Sequence, residues 1–104
     1  MAEELDALTV FTQSLVQTKS MTGPEQEVAK VISREMARLG FDHVFTDEFG
    51  NLIGMIDGKT AGQTILLDGH TDTVEANPLD WTYDPWKGVI QQGRLYGRGA
   101  ADMK

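Results

Sequence analysis

His70 and Asp72 stand one residue apart, and a third candidate, Asp102, comes from a separate glycine-framed stretch, Gly97-Arg98-Gly99-Ala100-Ala101-Asp102-Met103-Lys104. A neutral imidazole is the commonest transition-metal ligand, and a carboxylate that takes its other ring N–H fixes the tautomer and raises its basicity. The chemistry that these types and spacings offer is a metal site. His70 would ligate, Asp72 would stand behind it, and Asp102 has two oxygens able to bridge a pair of cations. The run before them, Ile65-Leu66-Leu67-Asp68-Gly69, is apolar, too short for a helix and closed by a glycine, which reads as a buried strand ending in polar chemistry. Strand-end loops are where open α/β sheets hold their ligands.

Each part has a plainer reading. An isolated His-x-Asp is most often a loop histidine beside a turn-capping aspartate, and an aspartate such as Asp102 is a common helix N-cap. What raises the site above these is the combination: the apolar run, Gly69, Thr73-Val74 and the second glycine-framed carboxylate. Asp68 reads as a solvated turn residue or as a group standing behind a ligand, and stays outside the site. His43, beside Asp42, has no partner at metal-ligand spacing and reads as a surface histidine. Gly97-Arg98-Gly99 is followed by no Gly-Lys-Ser/Thr and completes no dinucleotide fingerprint, which argues against a nucleotide loop. Trp81, Tyr83 and Trp86 are read as pinning their loop to the core rather than lining a substrate cleft.

The elements that must position these groups follow from periodicity. Leu5, Leu8, Phe11, Leu15 and Val16 recur at helical spacing with Glu3, Glu4 and Asp6 at the positive end of the dipole, predicting a helix over about 3–18. Pro24, Glu25 and Glu27 signal a second start, and Val28, Val31, Ile32, Met36 and Leu39 give that helix its apolar stripe up to Gly40. Both stripes need a sheet. Its expected strands are Val44 to Thr46, Leu52 to Ile56 across a Phe49-Gly50-Asn51 turn, a central strand from Thr64 to Leu67, and a hairpin of Gly88 to Gln91 with Arg94 to Tyr96 across Gln92-Gly93.

Composition bounds the rest. At 104 residues the chain holds at most one domain, and 40% hydrophobic with 24% charged residues is ordinary for folded globular protein. The net charge of −7 repels phosphate backbones, so nucleic acid is not an expected partner. No apolar run approaches the ~20 residues of a membrane span, and the acidic start Met1-Ala2-Glu3-Glu4 has no export-signal pattern. With no cysteine, zinc would be held by histidine and carboxylate. These features together favour the cytoplasm.

The stretches Leu67-Asp68-Gly69-His70-Thr71-Asp72-Thr73-Val74 and Tyr96-Gly97-Arg98-Gly99-Ala100-Ala101-Asp102-Met103-Lys104 resemble the co-catalytic zinc hydrolases. That family includes acetylornithine deacetylase, succinyl-diaminopimelate desuccinylase, aminoacylase, carboxypeptidase G-like enzymes and several dipeptidases. Phe49-Gly50-Asn51-Leu52-Ile53 resembles the family's hairpin, and Trp81-Thr82-Tyr83-Asp84-Pro85-Trp86 its connecting loop, in wording closest to the hydrolases linked to selenium metabolism. The resemblance implies part of a three-layer α/β/α catalytic domain with a mixed sheet, residues 1–104 being its N-terminal portion without the lid and dimerisation domain. By position it implies that His70 ligates one Zn2+, Asp102 bridges two, and Asp72 orients His70. A cis Asp102–Met103 peptide bond is also implied.

The implied reaction is hydrolysis of the amide bond of an N-acyl amino acid or small peptide by a water activated between two zinc ions, with Co2+ or Mn2+ also suited to such ligands. The general base and remaining ligands are expected beyond Lys104, so the 104-residue chain alone is expected to be inactive. The resemblance leaves room for a homodimer in the full-length protein. The alternative is a free-standing, non-catalytic fold acting as a weak metal-binding or interaction module. The first reading is preferred because the chain stops inside a motif where a helix is expected to begin.

Overall fold

The computed structural model describes residues 2–104, with side chains from Asp6 onward; Leu5, Glu3 and Glu4, assigned above to the first helix's stripe and dipole, have side chains outside the described residues. Helix α1 spans Ala2–Gln17 and α2 spans Gln26–Arg38. Strands β1 (His43–Thr46) and β2 (Leu52–Met55) form one antiparallel hairpin, and β3 (Val89–Gln91) and β4 (Arg94–Tyr96) form another.

Local chemistry accounts for the boundaries. Helix α2 closes on a glycine: Gly40 sits at φ +81°, its N–H donates to the Ala37 carbonyl, and the Phe41 N–H reaches back to Met36 at 3.0 Å. That pair of bonds is a Schellman stop, available because glycine alone takes this backbone without a Cβ penalty. The β1–β2 turn is organised by Asp47, whose carboxylate accepts from the Phe49 and Asn51 backbone N–H groups at 3.0 and 2.8 Å. Register pairs Phe45 with Ile53 and Val44 with Gly54. A Cβ on Gly54 would lie 2.6 Å from Met36 Sδ and 2.8 Å from Phe41 Cδ2, so the missing side chain lets the hairpin sit directly on α2. The second hairpin turns at Gln92 and Gly93, both at positive φ, as a two-residue loop matched to strand twist demands.

The α/β character and both hairpins follow the sequence pattern; the central strand does not. Ile65, Leu66 and Leu67 are extended chain without ladder partners, 84%, 86% and 91% exposed. A strand buried on both faces needs a neighbour along its edges. Here each hairpin pairs within itself, and the one ladder contact near the segment is an isolated parallel bridge between Met21 and Thr73. The single mixed sheet expected from the sequence is therefore replaced, among the described residues, by two separate two-stranded sheets.

Burial concentrates at the C-terminal end of α1. Among the described residues Leu15, Val16 and Val28 are the buried aliphatic side chains, and Ser20, Thr73 and Pro85 are buried as well. Leu8 and Leu39, counted in the apolar stripes, stay 60% exposed. The Cα radius of gyration is 15.4 Å, against about 13 Å for a closed domain of this length, so the apolar faces are only partly covered.

Candidate metal centre

The site grows from the chain segment that follows α1. The Ser20 hydroxyl, fully buried, donates to the Thr71 carbonyl at 2.5 Å, and the Thr73 N–H donates to the Ser20 carbonyl at 2.7 Å. Two residues further, Thr22 Oγ1 donates to Asp72 Oδ2 at 2.7 Å. Residues 20–22 thus run alongside 71–73 as a strap and set the direction of the Asp72 carboxylate. The sequence marks 19–24 only as the break between the two helices and, at Thr22 or Gly23 before Pro24, as the start of the second. The visible signal was three hydroxyl or polar positions between two helices, which is too common a pattern to single out.

The second half is the turn 97–104. Gly97 packs against Val16 so closely that a Cβ there would overlap the valine's Cγ1, and the Arg98 N–H donates to the Pro85 carbonyl at 2.9 Å. Gly99, at φ +86°, lies where a Cβ would come 2.8 Å from Thr73 Cγ2. Both glycines are thus needed for close approach, and their spacing brings the turn against residues 71–73. The loop before it is held by α1 and by its own aromatic residues. Gln13 and Gln17 of α1 donate to the Gly88 and Lys87 carbonyls at 2.8 and 2.9 Å. Arg98 lies over Trp81, Lys19 over Trp86, and Tyr83 packs on Tyr96 with centroids 4.6 Å apart.

These supports bring all three predicted residues together. His70 Nε2 lies 2.9 Å from Asp102 Oδ1. On the other side of the ring, Nδ1 faces Asp72 twice, at 3.1 Å from its backbone carbonyl and 3.3 Å from Oδ1. The carbonyl is the nearer acceptor, so the orienting contact is shared between main chain and carboxylate. Asp68 contributes nothing to the cluster, and His43 lies elsewhere, 3.3 Å from Asp57 on the exposed hairpin. The Asp102–Met103 bond is not cis: the described residues include no cis peptide bond, in keeping with the ~3 kcal/mol by which a non-proline bond favours trans.

Electrostatics follow from the contacts. The hydrogen bond to Asp102, and after it the Asp72 carbonyl, raise the His70 pKa above its ordinary value. Asp72 is held below the usual carboxylate range, first by the Thr22 hydroxyl and also by the nearby imidazole. An imidazolium here carries a proton on each nitrogen, and the one on Nε2 lies between the ring and Asp102. A metal cation satisfies the same nitrogen and oxygen lone pairs, and zinc accepts both donor types. The donor chemistry therefore fits a metal at Nε2 and Asp102, with Nδ1 kept protonated by Asp72. It does not complete a coordination shell, since no group of three or more His, Cys, Asp or Glu is placed to hold a metal among the described residues. The site is open, with the His70 side chain 50% and Asp102 89% exposed. A groove of about 570 Å³ lies elsewhere, between α2 and the β1–β2 turn, and none of its lining residues belongs to the site.

An imidazole backed by Asp72 at one nitrogen and faced by the Asp102 carboxylate at the other thus stands at the surface of an α/β scaffold. Residues 66–104, which contain all three residues, match the family described as Peptidase family M20/M25/M40. The whole chain is similar to proteins named succinyl-diaminopimelate desuccinylase. The one from Paraburkholderia xenovorans is 38% identical over 100 residues, covering 90% of this chain and 26% of the relative. That from Thioalkalivibrio sulfidiphilus is 35% identical over 107 residues, covering all of this chain and 27% of the relative. A protein named succinyl-diaminopimelate desuccinylase 2, from Ruegeria sp., is 38% identical over 97 residues, with 90% and 25% covered. The match to that family covers residues 66–104, and the chain spans about a quarter of the length of these relatives. No helix among the described residues is long and apolar enough to cross a membrane.

Proposed function

We propose that this chain forms the N-terminal part of the catalytic domain of a metal-dependent amidohydrolase or peptidase, acting on an N-acyl amino acid or a small peptide. The observation that carries the reading is the pairing of His70 Nε2 with Asp102 Oδ1 at 2.9 Å while Asp72 occupies Nδ1. Two residues 32 positions apart, each from a glycine-framed stretch, converge on one point at the surface. The desuccinylase names of the relatives favour an N-acyl amino acid substrate for the complete protein. The finer fold reading, a three-layer domain in which Ile65 to Leu67 is an interior strand, belongs to the same proposal. It is supported by the exposure of that apolar run here.

In this reading His70 and Asp102 would hold zinc, with Asp102 shared between two ions and Co2+ or Mn2+ as substitutes. When bound, such ions polarise the scissile carbonyl and lower the pKa of a water. This chain's part is preparatory. Asp72 accepts the Nδ1 proton and so presents Nε2 with its lone pair outward. Thr22 keeps the Asp72 carboxylate ionised and turned toward the ring. Asp102, on the far side, supplies the anionic charge that draws a cation to Nε2. The proton that must leave the water has no acceptor of its own here, because Asp72 and Asp102 are both committed to His70. The 104-residue chain alone is therefore inactive.

The test is to assay amide hydrolysis of N-succinyl and other N-acyl amino acids, with zinc, by this chain alone and by the chain joined to the sequence that follows its Lys104 codon in the source DNA. Turnover by the longer protein, lost in its His70→Ala variant, is expected. Metal-dependent turnover by the 104-residue chain alone, or a longer protein indifferent to His70→Ala, contradicts the reading.

A further inference from the structure

Asp102 is the most exposed member of the cluster, and among the described residues its hydrogen bond to His70 is the one that holds its carboxylate. What restrains the turn carrying it lies two residues further on. The Lys104 ammonium donates to the carbonyls of Leu15 at 2.9 Å and Thr18 at 2.6 Å, at the C-terminal end of α1. The Leu15 carbonyl also accepts from the Thr18 N–H at 3.2 Å, and both carbonyls sit at the negative end of the helix dipole, where a cation is favoured. Helix α1 has no basic residue in its own last turn, and Lys104 supplies the charge from 86 residues away. The lysine's stem lies along Gly99, where a Cβ would come within 3.1 Å of Cδ and 3.2 Å of Cγ.

The same end of α1 anchors the other side of the pair. Ser20, two residues beyond the Thr18 carbonyl, holds Thr71 and Thr73. Both halves of the His70–Asp102 contact are thus referenced to one fixed point, His70 through Ser20 and Asp102 through Lys104. We propose that Lys104 is the positioning residue that holds Asp102 against His70, by clasping the 97–104 turn onto the C-terminus of α1. Its value for metal binding rests on the reading of His70 and Asp102 given above, but the clasp itself is a statement about distance that needs no metal.

The test is nuclear Overhauser contact between the His70 ring protons and the Asp102 β-protons in the full 104-residue chain without metal. Lys104→Met keeps the stem and removes the ammonium; it is expected to lose the contact with helix content by circular dichroism unchanged. Lys104→Arg, which still donates to carbonyls, is expected to retain it. Contact retained at full strength in Lys104→Met overturns the proposal. If Lys104→Met does not fold, the unaltered protein decides. A Lys104 ammonium protected from hydrogen exchange relative to the exposed Lys87 supports the clasp, and one that exchanges as fast overturns it. Zinc added afterwards tests the metal reading separately, since a His70 ring that ignores zinc while Lys104→Met still loses the contact leaves the clasp standing and removes the ligand.

Discussion

Replacing Gly97 by alanine adds one methyl group at the point where the turn bearing Asp102 meets the core. A Cβ there overlaps Val16 Cγ1 and lies 3.1 Å from the Pro85 carbonyl oxygen and 3.5 Å from Val16 Cβ. Val16 is 0% exposed and β-branched, so in a helix it has essentially one χ1 rotamer and cannot swing aside. Relief must come from moving α1 or the turn. Overpacking of this kind costs roughly 1–3 kcal/mol, and a rigid partner places Gly97→Ala at about 2–3. With a urea m-value of about 1–3 kcal/mol/M, the unfolding midpoint falls by roughly 1–2 M. Gly62→Ala is the control, because its Cβ would meet nothing within 4 Å and its backbone is not left-handed; it stays within about 0.5 kcal/mol of the parent. The double variant Val16→Ala with Gly97→Ala removes the overlapping methyl groups and is expected to be no less stable than Val16→Ala alone. Urea titration followed by circular dichroism at the helix band reads all four. A Gly97→Ala midpoint indistinguishable from that of Gly62→Ala refutes the close approach of turn and helix.

Other consequences concern the cluster itself. Thr22→Val removes the hydroxyl that holds Asp72 down and in place, so the Asp72 pKa rises toward its ordinary value in a carbon-detected carboxyl titration, while Thr22→Ser leaves it near the parent. Asp72→Asn leaves the nearer backbone carbonyl on Nδ1, so it is expected to cost zinc affinity about tenfold, the low end of the roughly 10–100-fold typical for outer partners of a ligand; unchanged affinity by calorimetry removes Asp72 from the site. The raised His70 pKa has a signed consequence for stability. The folded protein holds the ring proton more tightly than the unfolded chain, so this contribution is full below the ordinary value of 6.5 and is lost as pH rises through the folded value. Asp102→Asn is therefore expected to destabilise the chain below that value and to leave it unchanged at higher pH, and an equal effect of Asp102→Asn across both ranges counts against the ion pair.

Short-range chemistry was the legible part of the fold. Gly40 after an apolar stripe, Phe49-Gly50-Asn51, and Gln92-Gly93 between short apolar runs each encode a stop or a turn within a few residues, and each appears as read. The strand expected at 64–67 failed because its formation depends on neighbours rather than on its own residues. Ile65, Leu66 and Leu67 declare that they are to be buried but not what is to bury them. The site residues were legible through the pairing of two glycine-framed motifs, whereas Thr22, Ser20 and Lys104 were not. Their roles depend on distances of 50 residues or more along the chain, and a hydroxyl or an ammonium carries no local mark of such a partner.

The most direct measurement is a zinc titration of the 104-residue chain followed through the ring 15N resonances of His70. In the proposed reading a metal takes Nε2, the nitrogen that faces Asp102, and the proton stays on Nδ1, which faces Asp72. The expected result is a zinc-dependent shift of Nε2, with Nδ1 remaining protonated throughout and the response much weakened in Asp102→Asn. A ring that shows no response to zinc, or one that coordinates through Nδ1 with Asp72 displaced, contradicts the account.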